Sequence, residues 1–239
     1  MPGGAYSALT GMRTRLEELD RLAADLANVS TVGYKTERSA KTASQRDEFA
    51  LELESAVDVV MGGKKIDFRP GLIASTGRDL DVAIDGSGFF AIETPAGERY
   101  TRNGSFSRRS DGTLTTSTGE TVLGENGPIT LPNGPVSISD NGTITSGTTV
   151  VGRLQVVQFA SERDLIRESG AVFRALTGAT PEPAEVRLVT GSIEQSNVNM
   201  VDRMTKLTEL SRNFEQLNKG VTVLMNELDG RAITELVRK

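Results

Sequence analysis

The sequence predicts an α+β fold, in which both ends of the chain form a discontinuous coiled-coil helical module around an inserted antiparallel all-β domain. Three observations carry that expectation. An apolar heptad stripe runs from Ala5 to Leu26, a second runs from Met200 to Leu228, and the stretch between them is short apolar runs separated by glycine turns. The expected boundaries are 1–35 and 196–239 for the helical module, 36–71 for an extended connector and 72–195 for the β-rich domain.

The first stripe is Ala5, Leu9, Met12, Leu16, Leu19, Ala23 and Leu26, at alternating four- and three-residue steps. Such steps place the residues on one helix face, as in the a/d seam of a coiled coil. Arg13, Arg15, Glu17, Glu18, Asp20 and Asp25 are expected on the opposite face. A helix of about 25 residues is roughly 37 Å long. The β-branched Val29, Thr31 and Val32 then weaken helix formation, and Gly33 is a natural exit residue. The span 36–71 is polar at first and then apolar without a clean period, which fits an extended connector with a short helix or strand pair, or a flexible linker.

From Leu72 to Thr190 the pattern turns to strands. Leu80, Val82 and Ile84 alternate with Asp79, Asp81 and Asp85, as in a half-buried strand. Gly86-Ser87-Gly88 leads into Phe89-Phe90-Ala91-Ile92, and Thr94-Pro95-Ala96-Gly97 reads as a hairpin turn. Asn103-Gly104, Asp111-Gly112, Asn126-Gly127, Asn133-Gly134 and Asn141-Gly142 suit tight hairpins, because Asn, Asp and Gly accept positive φ cheaply. The span 150–159 is the longest strand candidate, 184–190 the last, and 191–197 a hinge into the closing helix. That helix carries Met200, Met204, Leu207, Leu210, Phe214, Leu217, Val221, Leu224 and Leu228 on one stripe.

Composition narrows the function. The 239 residues carry a net charge of −5, which argues against nucleic acid as a partner. No apolar run is long enough to span a bilayer, so no membrane insertion is expected. The first residues lack the basic start, apolar run and cleavage site of a secretory signal, so a cytoplasmic place or export by another route is expected. There is no cysteine, hence no disulfide or thiolate metal site, and no histidine, the commonest general base and metal ligand.

The remaining polar constellations are weak. Asp79, Asp81 and Asp85 do not follow calcium-loop spacing and read as the solvent face of a strand. Gly86-Ser87-Gly88 opens no helix and has no histidine to serve it, so it is neither a phosphate loop nor a nucleophile elbow. Arg102, Arg108 and Arg109 read as solvated strand and turn charge rather than an anion patch, and Phe214 as packing. The expectation is a protein that is not an enzyme and takes no cofactor, metal or small-molecule substrate.

Three motifs, in order, resemble the bacterial flagellar rod, hook and basal-body protein family. The first is Leu26-Ala27-Asn28, Thr31 and Gly33-Tyr34-Lys35; Asp25 stands where the family usually has asparagine. The second is the run from Leu80 to Phe90 followed by Tyr100-Thr101-Arg102-Asn103-Gly104-Ser105-Phe106. The third is Gly191-Ser192-Ile193-Glu194-Gln195-Ser196-Asn197-Val198, with Phe214-Glu215 and Asn218 beyond it. The length and small β-domain resemble a rod subunit rather than the larger hook protein.

The resemblance implies a structural subunit of the flagellar basal-body rod in the periplasm, exported unfolded by the flagellar type III apparatus. It implies helical assembly with copies of itself and other rod proteins, the terminal helices forming an inner tube around the export channel. On that reading the sites are assembly interfaces, at Leu9, Met12, Leu16, Leu19, Leu26, Asn28, Leu210, Phe214, Leu217 and Leu224. The competing reading is a secreted binding module, in which the β-domain grips a partner and the helices merely dimerise.

Overall fold

Nineteen strands, two α-helices and one short 3-10 helix, Glu162–Asp164, lie within the described residues, 2–39 and 64–237 of the computed structural model. One helix stands at each end: α1 over Pro2–Ala27 and α2 over Met200–Val237. The chain divides into a helical unit, which holds α1 and α2, and a β unit of Asn28–Arg38 and Lys64–Val198.

The α+β expectation with a discontinuous coiled-coil module is therefore corrected. The fold is mostly β-sheet with a single helix at each end, and no coiled coil is present among the described residues. The reason lies in the period. A coiled coil keeps its a/d residues on the seam throughout. In α1 the shielded positions from residue 11 on are Met12, Arg15, Glu18, Leu19, Arg21, Leu22, Asp25 and Leu26, so Arg15, Glu18 and Asp25 do not lie on an outward face as expected, while Leu16 and Ala23 of the heptad face outward. Leu22 and Leu210 are buried, but Leu16 is 46% exposed and Leu217 41% exposed. The helices pack together over part of their length. Asp25, buried, pairs with Arg203 of α2 at 3.1 Å. The Asn199 side chain caps α2 by accepting the Asp202 N–H at 3.1 Å.

The β unit is built on a branched sheet whose registered pairings are antiparallel. Its spine runs β15 (Leu165–Ser169), β16 (Val172–Ala175), β6 (Gly97–Thr101), β5 (Phe89–Thr94), β9 (Thr121–Gly124), β8 (Leu114–Thr116), β7 (Phe106–Arg108). Three strands branch from it: β10 (Gly127–Pro128) on β9, β14 (Val156–Gln158) on β5, and β17 (Glu182–Pro183) on β14. A three-stranded sheet joins β11 (Ser137–Ile138), β12 (Thr143–Ser146) and β13 (Thr149–Arg153). Three two-stranded pairs complete the unit: β1 (Glu37–Ser39) with β2 (Lys64–Ile66), β3 (Ile73–Ser75) with β19 (Ser192–Glu194), and β4 (Val82–Asp85) with β18 (Arg187–Thr190).

Strand β5 explains the apolar run Phe89-Phe90-Ala91-Ile92. Successive side chains of a strand point to opposite faces. Phe90 and Ile92 enter one core with Val82, Ile84, Phe106, Leu114 and Val122, whereas Phe89 and Ala91 enter another with Ile66, Phe68, Tyr100, Val157, Leu165 and Phe173. The sheet is thus covered on both faces, and a strand buried on both faces has no polar alternate. In the second core the rings of Phe68, Phe89 and Phe173 meet edge to face, with centroids 5.2–5.8 Å apart. Such pairs add to simple burial because the ring edge is positive and the face negative.

Several strand expectations shift. The candidate at 150–159 divides at residues 154 and 155 into β13 and β14, which belong to different sheets. Part of the expected hinge is β19. Asp81 is buried rather than solvated, accepting from the Ser105 hydroxyl at 3.3 Å. Gly104 is not a positive-φ turn residue; it is required because a Cβ there would stand 1.7 Å from the Val82 carbonyl oxygen. Residues 40–63 of the expected connector lie outside the described residues.

Candidate assembly site

Beyond α1 the chain turns over Asn28–Thr31, with the Thr31 N–H donating to the Asn28 carbonyl at 3.1 Å. Gly33 follows at φ +69°, and a Cβ there would lie 2.4 Å from the Arg102 carbonyl carbon. Only glycine allows both that backbone conformation and that approach. Gly33 N–H donates to the Glu194 carbonyl at 2.8 Å, which sets the incoming pass of the chain against the outgoing one.

The residues that follow Gly33 lock the two passes together. The Lys35 ammonium donates to the Glu194 carboxylate and, at 2.9 Å, to the Arg69 carbonyl. Glu194 also accepts the Gly71 N–H at 2.9 Å and Arg102 Nη1 at 3.4 Å. Lys35, Glu194 and Arg102 are all buried, at 0%, 1% and 3% exposure. Two buried cations thus share one carboxylate. Burial pulls the Lys35 ammonium below its ordinary pKa even though Glu194 pulls the other way. Burial acts on Arg102 in the same direction, again against Glu194.

Asn197 ties the backbone. Its Oδ1 accepts the Thr36 N–H at 2.8 Å, its Nδ2 donates to the Asp67 carbonyl at 2.8 Å, and its own N–H reaches the Tyr34 carbonyl at 3.3 Å. Tyr34 is buried under the Arg167 guanidinium, which lies 4.3 Å from the ring centroid and pairs with Glu37 at 3.0 Å. Asp67 pairs with Arg38 at 2.7 Å and Arg69 at 2.8 Å. Sequence reasoning missed this junction, although Gly33, Tyr34, Lys35, Arg102, Glu194 and Asn197 stand inside the three motifs that carried the family resemblance. Arg102, expected to be solvated, is corrected to a buried partner of Glu194; Arg108 and Arg109 are exposed.

The expected interface residues fall on the helices and the turn after α1. Met12, Leu19, Leu26, Asn28 and Phe214 are half-buried, Leu210 is buried, and Leu16 and Leu217 are exposed. The side chains of Leu9 and Leu224 lie outside the described residues.

The described residues thus give a β unit fastened at its own chain crossing and, at each end of the chain, a helix carrying an exposed leucine, the features of a structural protein. Comparison with known proteins gives the family. The family model described as the flagellar hook protein FlgE/F/G D1 domain matches residues 83–146, and that of the flagellar basal body rod FlgEFG protein C-terminal region matches residues 189–234. The chain is 34% identical over 225 residues to the flagellar basal-body rod protein FlgF of Caulobacter vibrioides, covering 92% of each. It is 33% identical over 249 residues to FlgF of Salmonella typhimurium, covering 97% of each. It is 33% identical over 247 residues to the rod protein FlgG of Bacillus subtilis, covering 91% of this chain and 93% of that one. The chain belongs to the flagellar hook and basal-body rod protein family.

Proposed function

We propose that this chain is a structural subunit of the proximal rod of the flagellar basal body. It assembles helically with copies of itself and with other rod proteins, its helices lining an inner tube around the export channel and its β unit forming an outer layer. It reaches the periplasmic part of the basal body through the type III export apparatus, and as a part of a drive shaft it turns over no substrate. The proximal place is favoured because FlgF relatives match it over 92–97% of its length. The stretches Gly127-Pro128-Ile129 and Leu165-Ile166-Arg167-Glu168 also resemble that type.

The observation that carries the reading is the exposed apolar stripe. Leu16, Met204 and Leu217 are each more than two-fifths exposed on regular helices. The interface residues of the reading are Leu9, Met12, Leu16, Leu19, Leu26, Asn28, Leu210, Phe214, Leu217 and Leu224. Leu16→Asp tests it. A charge held at a dry interface without a partner costs several kcal/mol, and helical assembly repeats that cost at every subunit. Glu17→Ala, which loses only an exposed pair with Arg13 at 3.1 Å, serves as the control. Swimming is expected to be abolished by the first change and kept by the second, with subunit level and secretion measured alongside. Normal swimming by Leu16→Asp cells that make normal amounts of protein would remove the main support for the reading.

A further inference from the structure

Arg102 is charged, buried and underused. Among the described residues its hydrogen-bond acceptor is Glu194, through Nη1 at the long distance of 3.4 Å, and its Nε finds none there. Glu194 is shared with Lys35, so the buried trio carries one positive charge in excess. The guanidinium stacks on Phe89, with Cζ 5.2 Å from the ring centroid. It also lines an open cavity of about 240 Å³ walled by Phe68, Phe89, Phe159, Ser87 and Gln158. An ionised group held out of water needs its hydrogen-bond partners, and a carboxylate answers a guanidinium in both charge and geometry.

We propose that this cavity receives a carboxylate side chain from a second copy of this chain. The inference rests on the rod reading given above. Three features fit that occupant. The cavity is wide enough for an acidic side chain, its aromatic walls suit the methylene stem, and Arg102, which lines it, belongs to a buried trio with one uncompensated charge. The chain as a whole has the opposite balance, with 32 acidic and 27 basic residues, so copies of it carry carboxylates in surplus. Binding makes the local charges two against two.

Self-association of the full chain, followed by sedimentation velocity over a concentration series, tests the proposal. Ser87 is exposed and lines the cavity, so Ser87→Trp fills it while leaving Arg102 and the core residues themselves unsubstituted. Association is expected to weaken by about tenfold or more, the effect of losing one charged hydrogen bond. A second measurement identifies the occupant. Arg102→Lys places an amine in the cavity, and a carbodiimide then joins that amine to any carboxylate in contact. With ¹⁴N- and ¹⁵N-labelled protein mixed, a cross-linked peptide pair of unlike isotopes is expected by mass spectrometry. Cross-links confined to Glu194 of the same chain overturn the proposal and leave the cavity to solvent. So does unchanged association of Ser87→Trp, or a wild type that shows no concentration dependence. If Leu16→Asp weakens association while Ser87→Trp does not, the cavity proposal fails and the rod reading stands.

Discussion

Glu194 is the single carboxylate between the two buried cations Lys35 and Arg102, so its loss and theirs are unequal. Glu194→Gln leaves two buried like charges facing each other and is expected to cost about 3–5 kcal/mol. Lys35→Met leaves a matched Arg102–Glu194 pair and is expected to cost about 1–3 kcal/mol. Urea unfolding of both variants checks the order; equal losses would mean that Arg102 draws no benefit from Glu194. The depressed Lys35 pKa adds a pH dependence of fixed sign. Folding releases a proton between the folded pKa of Lys35 and its ordinary 10.5, so this residue's burial penalty is full below that window and fades as pH rises through it. The stability gap between Lys35→Met and wild type is therefore expected to widen on going from neutral pH towards 10.5. Tyr100 acts oppositely. Burial first, and then Glu98, pushes its phenol up to about 12, so its contribution is present below pH 10 and is lost above it. Measuring the gap within one background removes that contribution. Arg102 shows why a single residue's role was hard to read: a strand arginine has the same local pattern in solvent or in a core. What decides is Glu194, 92 positions away.

At the scale of elements, turn chemistry was legible and sheet membership was not. Thr94 and Gly97 do close the β5–β6 hairpin, and Gly112, Gly127, Gly134 and Gly142 have positive φ as their Asx-Gly pairs predict. Local backbone preference suffices there. Phe89–Ile92 reads only as strand, since an apolar run does not state which layers cover it, and β13 and β14 part company through pairings with distant strands. Glycines divide along the same line. Gly104→Ala sets a Cβ 1.7 Å from the Val82 carbonyl oxygen, a contact that requires the backbone to move, and is expected to cost about 3–5 kcal/mol. Gly147→Ala, at φ +60° with open space around it, is expected to cost only about 1–2 kcal/mol. Thermal unfolding of the two variants gives the comparison, and a smaller loss at Gly104 would contradict the close approach. On the helices the heptad misled: Leu16, Ala23, Met204 and Leu217 of its stripes are exposed, because leucine is equally at home in a seam and on an ordinary amphipathic helix.

For the molecule as a whole, the hairpin signals mark 72–190 as the β-rich core, but the packed unit is larger. Residues 28–38 and 64–71 supply Tyr34, Lys35, Ile66 and Phe68, and 191–198 supply Glu194 and Asn197. A fragment of 28–198 is expected to melt cooperatively with a β-type circular dichroism spectrum. A fragment of 72–190 is expected to melt lower by about 10 °C or more, having lost a core aromatic, the β19 partner of β3 and the buried pair. Equal melting temperatures would show that the junction adds nothing. The way the chain crosses itself there also has a mechanical meaning. Tension arriving at Asn28 and leaving at Val198 has a short route through the Gly33–Glu194 and Tyr34–Asn197 backbone bonds and the Lys35 clasp. While those hold, the hairpins hang beside the line of force and carry almost none of it. The many short strands, each weak against pulling, are thereby kept out of the load, and the resistance of the unit to being drawn open resides in a handful of side chains within a few ångströms of Lys35.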